Sequence, residues 1–248
     1  MWIESNDAEV GLSEIRQSQT EIHVPVHIYE DCLVDEDLKE INIGKDYVTY
    51  AKEDFFLVQK YRENAYRACK WYLEGKIPTA KSVLLPWNEA RSALEQNLKN
   101  FPFVKTCSMS PKDVCKSCVF GNVEDTVEAL ITSERTKNLP CHIFMREVQE
   151  IHDEARCFWS RGKLTAVSLQ NTNYETETEI LDFFEKYGDE IPYNSAVVDI
   201  GFVNGKYQLI EFNTFGPDMK ATAGNFSWRE DIYQLLIGEK VEFRSVEN

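Results

Sequence analysis

Residues 194–216 read NSAVVDIGFVNGKYQLIEFNTFG, and this stretch decides the fold of the chain. Two strand-like runs meet at Asn204-Gly205, a pair that strongly predicts a β-hairpin. Polar residues interrupt both runs, with Asp199 inside the first and Glu211 and Asn213 at the end of the second. A carboxylate within an apolar strand is costly to bury unless another group neutralises it. The hairpin is therefore predicted to carry a polar site.

The length of the turn decides whether these polar residues share one face of the hairpin. A two-residue turn pairs Asp199 with Ile210 and points Glu211 to the opposite face. A three-residue loop of Val203-Asn204-Gly205, or a bulge of equal effect, shifts the pairing by one residue. We predict this second register, because it places Asp199, Glu211 and Asn213 together. The opposite face is then apolar and comprises Val198, Ile200, Phe202, Ile210 and Phe212.

Three oxygen-bearing side chains on adjacent strands suit a Mg²⁺ ion together with a phosphate-bearing substrate. An edge hairpin with solvated acids is the simpler interpretation, and it is the commoner one for carboxylates. The hairpin alone leaves both interpretations open.

Composition and charge limit the class of protein and its partners. The chain has 248 residues and a formal net charge of −15, which argues against nonspecific binding to nucleic acid or to an anionic membrane surface. Its first residues lack the basic and apolar regions of a secretory signal. Seven cysteines are an odd number, and the pair Cys115 and Cys118 lacks the second pair that a zinc site needs. We therefore expect a cytoplasmic protein with reduced cysteines and no membrane span.

Hydrophobic periodicity and turn residues predict an α+β chain. Besides the hairpin, strands are predicted at 22–29, 82–85, 101–106, 142–148, 154–160 and 163–170. Helices are predicted at 55–73, 88–98, 122–135, 174–187 and 227–237.

Three cationic residues lie in or at the end of predicted strands. Lys105 ends the strand 101–106, where it can serve as a point charge for phosphate or simply extend into solvent. Arg146 and Arg156 lie inside apolar strands, and a buried guanidinium needs an anionic partner. That partner is either a phosphate or carboxylate ligand, or a structural acid such as Glu147 or Glu154.

A lysine, two strand arginines and a closing Asp/Glu-x-Asn hairpin together resemble the ATP-grasp superfamily, and within it the cell division cycle protein 123 family. The resemblance covers roughly residues 69–231 through six segments in order. They are CKWYLEGKIPTAKSVLLPWNEARSAL (69–94), FPFVKTCSMSPKDV (101–114), EARCFWSRGKLTAVSLQ (154–170), AVVDIGF (196–202), QLIEFNTFG (208–216) and NFSWRED (225–231).

The resemblance implies an α+β ATP-grasp fold, in which two α+β subdomains hold the nucleotide in a cleft between antiparallel sheets. It implies a domain at 69–240, with halves at 69–136 and 137–240, and an N-terminal extension at 1–68 of unknown role that packs on the core. ATP and Mg²⁺ are the implied cofactors.

The resemblance also assigns roles to individual residues. The adenine hinge is assigned to the strand end at Met145, Glu147 and Val148, largely through backbone groups. The implied phosphate contacts are Lys105, Ser110, Lys112, Arg146 and Arg156, of which the two arginines are also the candidate catalytic residues. The implied Mg²⁺ ligands are Asp199, Glu211 and Asn213.

Two functions remain open. The family resemblance implies a nucleotide-dependent assembly factor that binds the γ subunit of translation initiation factor 2 and helps to join it to the α subunit. The alternative is an ATP-dependent carboxylate–amine ligase that acts on a protein or other substrate through an acyl phosphate. Glu211, where the family usually has Asp, is the usual residue in ATP-grasp ligases at large and slightly favours the ligase. Whether the chain is an enzyme stays undecided at this stage.

Overall fold

The computed structural model describes residues 69–107, 110–137, 142–170, 174–193, 195–213, 215, 223–228 and 230–246. The described chain divides into two compact units at the step from Glu150 to Ile151. This division lies after the predicted boundary at 136/137, because the strand that follows residue 141 pairs with strands that precede it. The extension at 1–68, the predicted strand 22–29 and most of the predicted helix 55–73 lie outside the described residues.

The N-terminal unit, residues 69–150, is built on a three-stranded antiparallel sheet of order β1-β3-β2. Its elements are β1 (Ser82–Pro86), α1 (Ala90–Asn97), β2 (Phe103–Thr106), α2 (Val123–Thr132) and β3 (His142–Arg146). Alternation along β3 sends Ile143 and Met145 into the core, where they pack with Leu94 and Leu130 from the two helices. The polar and aromatic residues of β3 therefore occupy the opposite face.

The C-terminal unit, residues 151–248, contains a five-stranded sheet of order β7-β6-β4-β5-β8. Its elements are β4 (Glu154–Ser160), β5 (Lys163–Leu169), α3 (Tyr174–Tyr187), β6 (Ala196–Val203), β7 (Lys206–Asn213), α4 (Ile232–Leu236) and β8 (Glu242–Ser245). The hairpin β4–β5 and the helix α3 lie where the sequence predicts them. The sheet is mixed and not purely antiparallel, because β8, which lies beyond the predicted domain end at 240, pairs parallel with β5.

The hairpin β6–β7 reaches the predicted pairing by a different local geometry. The three-residue loop is wrong, since only Asn204 and Gly205 separate the strands, with φ angles of 51° and 82°. These two positive φ angles are typical of the two-residue turns that suit a right-handed strand twist. A bulge at Ile210 then shifts the register, so that Asp199 pairs with Glu211. The predicted alternative, a bulge of equal effect, is thereby confirmed.

Because of the bulge, the predicted apolar face is wrong at Ile210. A Cβ atom on Gly201 would lie 2.8 Å from Cδ1 of Ile210, so Ile210 lies on the Gly201 side of the hairpin. Gly201 and Asp199 are two residues apart in β6 and share a face. Ile210 therefore lies on the side of the polar residues, and Tyr207 takes a place opposite Phe202, with ring centroids 5.3 Å apart.

A core cluster in the C-terminal unit lies beside the polar part of β4. Phe158 is two residues from Arg156 in β4, which places both side chains on one face. Aromatic residues after the hairpin pack on Phe158, with the Trp228 ring centroid 5.6 Å away. The full cluster is Phe158, Ala166, Val197, Phe215, Ala223, Phe226, Trp228, Leu235 and Leu236.

The last helix is shorter than predicted. Ser227 Oγ accepts a hydrogen bond from the Glu230 backbone N–H at 3.2 Å, as the predicted helix cap requires. The helix α4 nevertheless begins only at Ile232, because the Asp231 carboxylate is held by the backbone N–H of Ser227 and by Arg244. No helix of the described residues is both long and apolar enough to cross a membrane.

Candidate functional site

A row of charged side chains crosses the C-terminal sheet. The register places Arg156 of β4 opposite Asp199 of β6, and Asp199 opposite Glu211 of β7. Directly opposed residues of neighbouring strands share a face, so these three side chains lie side by side. The structure therefore brings together three residues that the sequence predicted for phosphate and metal binding.

The Arg156–Asp199 ion pair is bidentate. Nε of Arg156 donates to Oδ1 of Asp199 at 2.9 Å, and Nη2 donates to Oδ2 at 2.9 Å. The Asp199 side chain is 2% exposed and the Arg156 side chain 24%. Asp199 is thus an acidic partner of Arg156 that the sequence did not suggest, and the charge of the predicted Glu154 also acts on Arg156. A buried carboxylate and a strand arginine neutralise each other here.

The electrostatics of the row follow from this pairing. Burial by itself lowers the pKa of Arg156, but the hydrogen bonds and charge of Asp199 outweigh it, and the pKa is raised. The negative charges of Glu211 and Glu154 act in the same direction. Arg156 therefore stays charged.

Asn213 extends the site along β7. Its Nδ2 donates to Oδ2 of Asp199 at 2.8 Å, and it is two residues from Glu211, on the same face of the strand. Glu211 and Asn213 are both partly buried. The carboxylate of Glu211 and the amide oxygen of Asn213 are the hard oxygen donors that Mg²⁺ prefers. The donor set therefore fits a magnesium ion, although Arg156 already neutralises Asp199.

The described residues hold no group of three or more His, Cys, Asp or Glu side chains that could bind a metal ion. Cys115 and Cys118 are free thiols. The mixed carboxylate and amide set of the hairpin is the metal site to be tested.

Two further residues continue the row, and sequence reasoning missed both. Ser168 of β5 pairs with Arg156 on one side and with Arg244 of β8 on the other. Arg244 binds the Asp231 carboxylate through both terminal nitrogens, at 2.8 and 2.7 Å, and lies 4.2 Å from the Phe226 ring centroid. Only the strand order β4-β5-β8 joins them to the site, so no local motif could have indicated them. Their contacts are structural, because they fix the segment after the hairpin to the sheet.

In the N-terminal unit, Lys105 and Arg146 lie near the Phe144 ring. Lys105 is opposite Phe144 in the register, with its Nζ 5.8 Å from the ring centroid. The Arg146 guanidinium carbon lies 5.2 Å from the same centroid and 5.3 Å from that of Tyr72. Cations on aromatic faces gain electrostatic attraction. Arg146 is thus held by ring packing, and its predicted role in phosphate binding stays a prediction.

The three residues of the predicted adenine hinge differ in the groups that they can offer to a ligand. The Met145 side chain is fully buried in the core, so it can offer only backbone groups. The Glu147 backbone N–H donates to the Lys81 carbonyl at 3.0 Å, and its carboxylate accepts the Lys81 N–H at 3.0 Å. Val148 is 55% exposed, and no residue of the described chain is hydrogen-bonded to its backbone. Val148 is therefore the hinge residue best placed to offer backbone groups to a ligand.

The loop that contains Ser110 and Lys112 is anchored by Asp113. Its carboxylate accepts hydrogen bonds from Ser133 Oγ at 2.6 Å and from the Glu134 N–H at 2.9 Å. Burial tends to raise the pKa of Asp113, but these hydrogen bonds and the Arg135 charge lower it overall. Asp113 thus fixes the loop to the turn after α2. Lys112 stays exposed and Ser110 partly buried.

Comparison with known proteins gives relatives in sequence and in fold, although no protein-family model matches the chain. The chain is 26% identical over 271 residues to the CDC123-like protein L884 of Acanthamoeba polyphaga mimivirus, across 96% of this chain and 79% of that protein. The structure is similar to C-terminally truncated Cdc123 from Schizosaccharomyces pombe, with a TM-score of 0.61, 19% identity, and 75% of this chain and 98% of that chain covered.

A second structural relative is the D-alanine–D-alanine ligase from Bacillus anthracis, with a TM-score of 0.52, 13% identity, and 89% of this chain and 87% of that chain covered. At such identities the similarity concerns the fold. The predicted α+β ATP-grasp fold is confirmed.

Proposed function

We propose that this chain, which is similar to a CDC123-like protein in sequence and to Cdc123 in fold, is a Cdc123-like member of the ATP-grasp superfamily that binds ATP with Mg²⁺ and assists the assembly of translation initiation factor 2. The observation that carries the nucleotide part is the row Arg156–Asp199–Glu211 with Asn213 beside it. A metal-bound phosphate chain requires oxygen ligands for the metal ion and a cation for the phosphate oxygens. The row offers both on one face of the sheet.

Each residue of the row has a separate task in this proposal. Glu211, Asn213 and Asp199 would hold the Mg²⁺ ion, which when bound neutralises charge on phosphate oxygens. Arg156 would bind phosphate oxygens with the same two donors that now hold Asp199. Because the Asp199 side chain is almost fully buried, water is kept from this side of the row.

The backbone of the β3 end would hold the base. Val148 is an exposed residue, and its backbone offers one donor and one acceptor. Such a pair is the pattern that the edge of an adenine ring requires. Glu147 would act by fixing the hinge to Lys81, through the two hydrogen bonds between them.

The proposed protein partner is the γ subunit of translation initiation factor 2. Its support comes from the family and from the net charge of −15, which favours a partner with a basic surface. In this proposal the nucleotide is a structural cofactor that organises the protein for binding, and turnover is not required.

Thermal denaturation with Mg²⁺ and ATP tests the nucleotide site. We expect the complex to melt at a higher temperature than the free protein, and the double variant Glu211→Gln/Asn213→Ala to lose this shift. A matched control is Glu185→Gln/Asn100→Ala, which changes the same residue types at exposed positions. Excess EDTA should also remove most of the shift. A normal shift in the first variant would overturn the metal assignment.

Capture of purified initiation factor subunits tests the assembly role. The immobilised chain should retain the γ subunit in the presence of Mg²⁺ and ATP, and should release it when the nucleotide is removed. ADP production should stay below one equivalent per chain over the binding time. Failure to bind the γ subunit with nucleotide present would sink this part of the proposal and leave the nucleotide site intact.

A carboxylate–amine ligase is the second candidate. The specific observation in its favour is that Arg156 shares one row with both acidic residues, because a guanidinium and a metal ion can stabilise a transferring phosphoryl group together. The same assay separates the candidates. Steady ADP production that depends on an added amine would support the ligase.

A further inference from the structure

The Asp199 carboxylate is engaged by two neighbouring side chains. Oδ1 accepts from Nε of Arg156 at 2.9 Å, while Oδ2 accepts from Nη2 of Arg156 and from Nδ2 of Asn213 at 2.9 and 2.8 Å. A carboxylate oxygen offers about two acceptor positions. Oδ2 is therefore filled, and Oδ1 already holds Nε of Arg156.

Asp199 and Asn213, two of the three proposed metal ligands, are thus hydrogen-bonded to each other, and Asp199 is also bound by Arg156. From this arrangement we propose that Arg156 closes the metal site of the nucleotide-free protein, and that a phosphate group opens it by drawing Arg156 away from Asp199. Metal ion and phosphate would then bind cooperatively, with little affinity for either one alone. This inference rests on the proposed function, since it concerns the same site.

Electrostatics support closure by Arg156. A cation bound to Asp199 would lie within a few ångströms of the guanidinium, in surroundings where the Asp199 side chain is 2% exposed. Charges interact more strongly there than in water, because the effective dielectric constant is lower. The positive charge of Arg156 therefore disfavours a free divalent ion and cancels the attraction of Asp199.

Exposure indicates how the pair can open. The Arg156 side chain is 24% exposed whereas the Asp199 side chain is 2% exposed. A ligand can therefore reach the arginine but not the aspartate. Phosphate accepts two parallel hydrogen bonds from a guanidinium, as a carboxylate does. Exchange of one acceptor for the other keeps Arg156 neutralised and releases the two acceptor positions of Asp199 that Arg156 fills.

The coupling must be reciprocal. If phosphate raises the affinity for the metal ion, the metal ion raises the affinity for phosphate by the same factor. Removal of the Arg156 charge should break this link and let the metal ion bind alone.

The experiment titrates Mn²⁺ into the protein without nucleotide and measures free Mn²⁺ by electron paramagnetic resonance. We expect weak binding to the wild-type chain and about tenfold tighter binding to Arg156→Gln, within the usual range of coupling factors. Arg156→Lys keeps the charge but loses the two-point contact, so it should fold even where Arg156→Gln does not, and its gain should be smaller. Arg161→Gln, at the exposed turn of the same hairpin, is the matched control and should bind as the wild type does.

The outcomes separate this inference from the proposed function. If neither Arg156 variant binds Mn²⁺ more tightly, while Glu211→Gln/Asn213→Ala still abolishes the Mg-ATP shift, the coupling is wrong and the site stands. If the tight Mn²⁺ binding of Arg156→Gln persists after Glu211→Gln/Asn213→Ala is added, the ion binds elsewhere, and both the coupling and the metal assignment fail. Tighter binding that requires Glu211 and Asn213 supports both.

Discussion

Asp199 lies directly opposite Glu211 in the β6–β7 hairpin, although only two residues form the turn between their strands. A regular ladder from that turn would place Ile210 opposite Asp199. The chain inserts Ile210 as a bulge and moves Glu211 into the paired position. Bulges of this kind re-aim side chains and are frequent next to functional sites. The polar site thus depends on one extra residue in β7.

The bulge predicts a steric coupling between Gly201 and Ile210. A Cβ atom at Gly201 would approach Cδ1 of Ile210 to 2.8 Å and Cγ2 of Ile151 to 2.7 Å. We expect Gly201→Val to lower the free energy of unfolding by about 1–3 kcal/mol, because it overpacks this position. Ile210→Ala in the same chain should recover part of that loss. Urea denaturation of the two single variants and the double variant measures the coupling, and strictly additive effects would contradict the predicted contact.

The turn predicts a cost for any side chain at Gly205. Its φ of 82° lies in the left-handed region, where residues other than glycine are strained. Gly205→Ala should lower the free energy of unfolding by about 1 kcal/mol. Gly121→Ala is the control, because no atom lies within 4 Å of a Cβ built there and its φ is not in that region. Equal stabilities of the two variants by thermal denaturation would argue against the two-residue turn.

The ion pair predicts different stability effects for two acids of the row. Asp199→Ala leaves the Arg156 charge without its partner, so the free energy of unfolding should fall by about 3 kcal/mol. This value is at the lower end of the usual range, because the Arg156 side chain is 24% exposed. Glu211→Gln should cost about 1 kcal/mol or less. Chemical denaturation without nucleotide makes the comparison, and a larger cost for Glu211→Gln would reverse our assignment of roles.

The lowered pKa of Asp113 predicts that the free energy of unfolding depends on pH. Its pKa in the folded protein is lowered by Ser133, Glu134 and Arg135, against the opposing effect of burial. An acid whose folded pKa lies below its unfolded value of about 3.9 stabilises the protein fully above that value. The stabilisation disappears as the pH falls through the folded pKa.

The variant Asp113→Asn checks this sign. At neutral pH the wild type should be more stable by about 0.5–1 kcal/mol, because the loop anchor is charged but exposed to solvent. The difference should shrink as the pH is lowered below about 4. Urea denaturation at several pH values measures it. A difference that does not change with pH would show that the anchor acts without its charge.

Local patterns in the sequence sufficed for much of the fold. Apolar alternation and the Arg161-Gly162 turn located β4 and β5, and the acidic start with Gly188 at the end located α3. These signals depend on neighbours in the chain, which is why they are readable without a structure. The predicted start of the last helix at residue 227 was wrong. Arg244, which follows the helix in the chain, binds the Asp231 carboxylate, and the sequence beside Asp231 does not reveal this contact.

The sequence by itself determined the hairpin, its polar residues and the order of cations and acids that resembles ATP-grasp proteins. Only the tertiary structure decided that Arg156 binds Asp199, that Ile210 forms the bulge, and that Ser168 and Arg244 continue the row. The physical reason is the order of the strands. Strands distant in sequence become neighbours when the sheet forms, and the partner of a buried charge is chosen by that neighbour relation and not by the residues beside it in the chain.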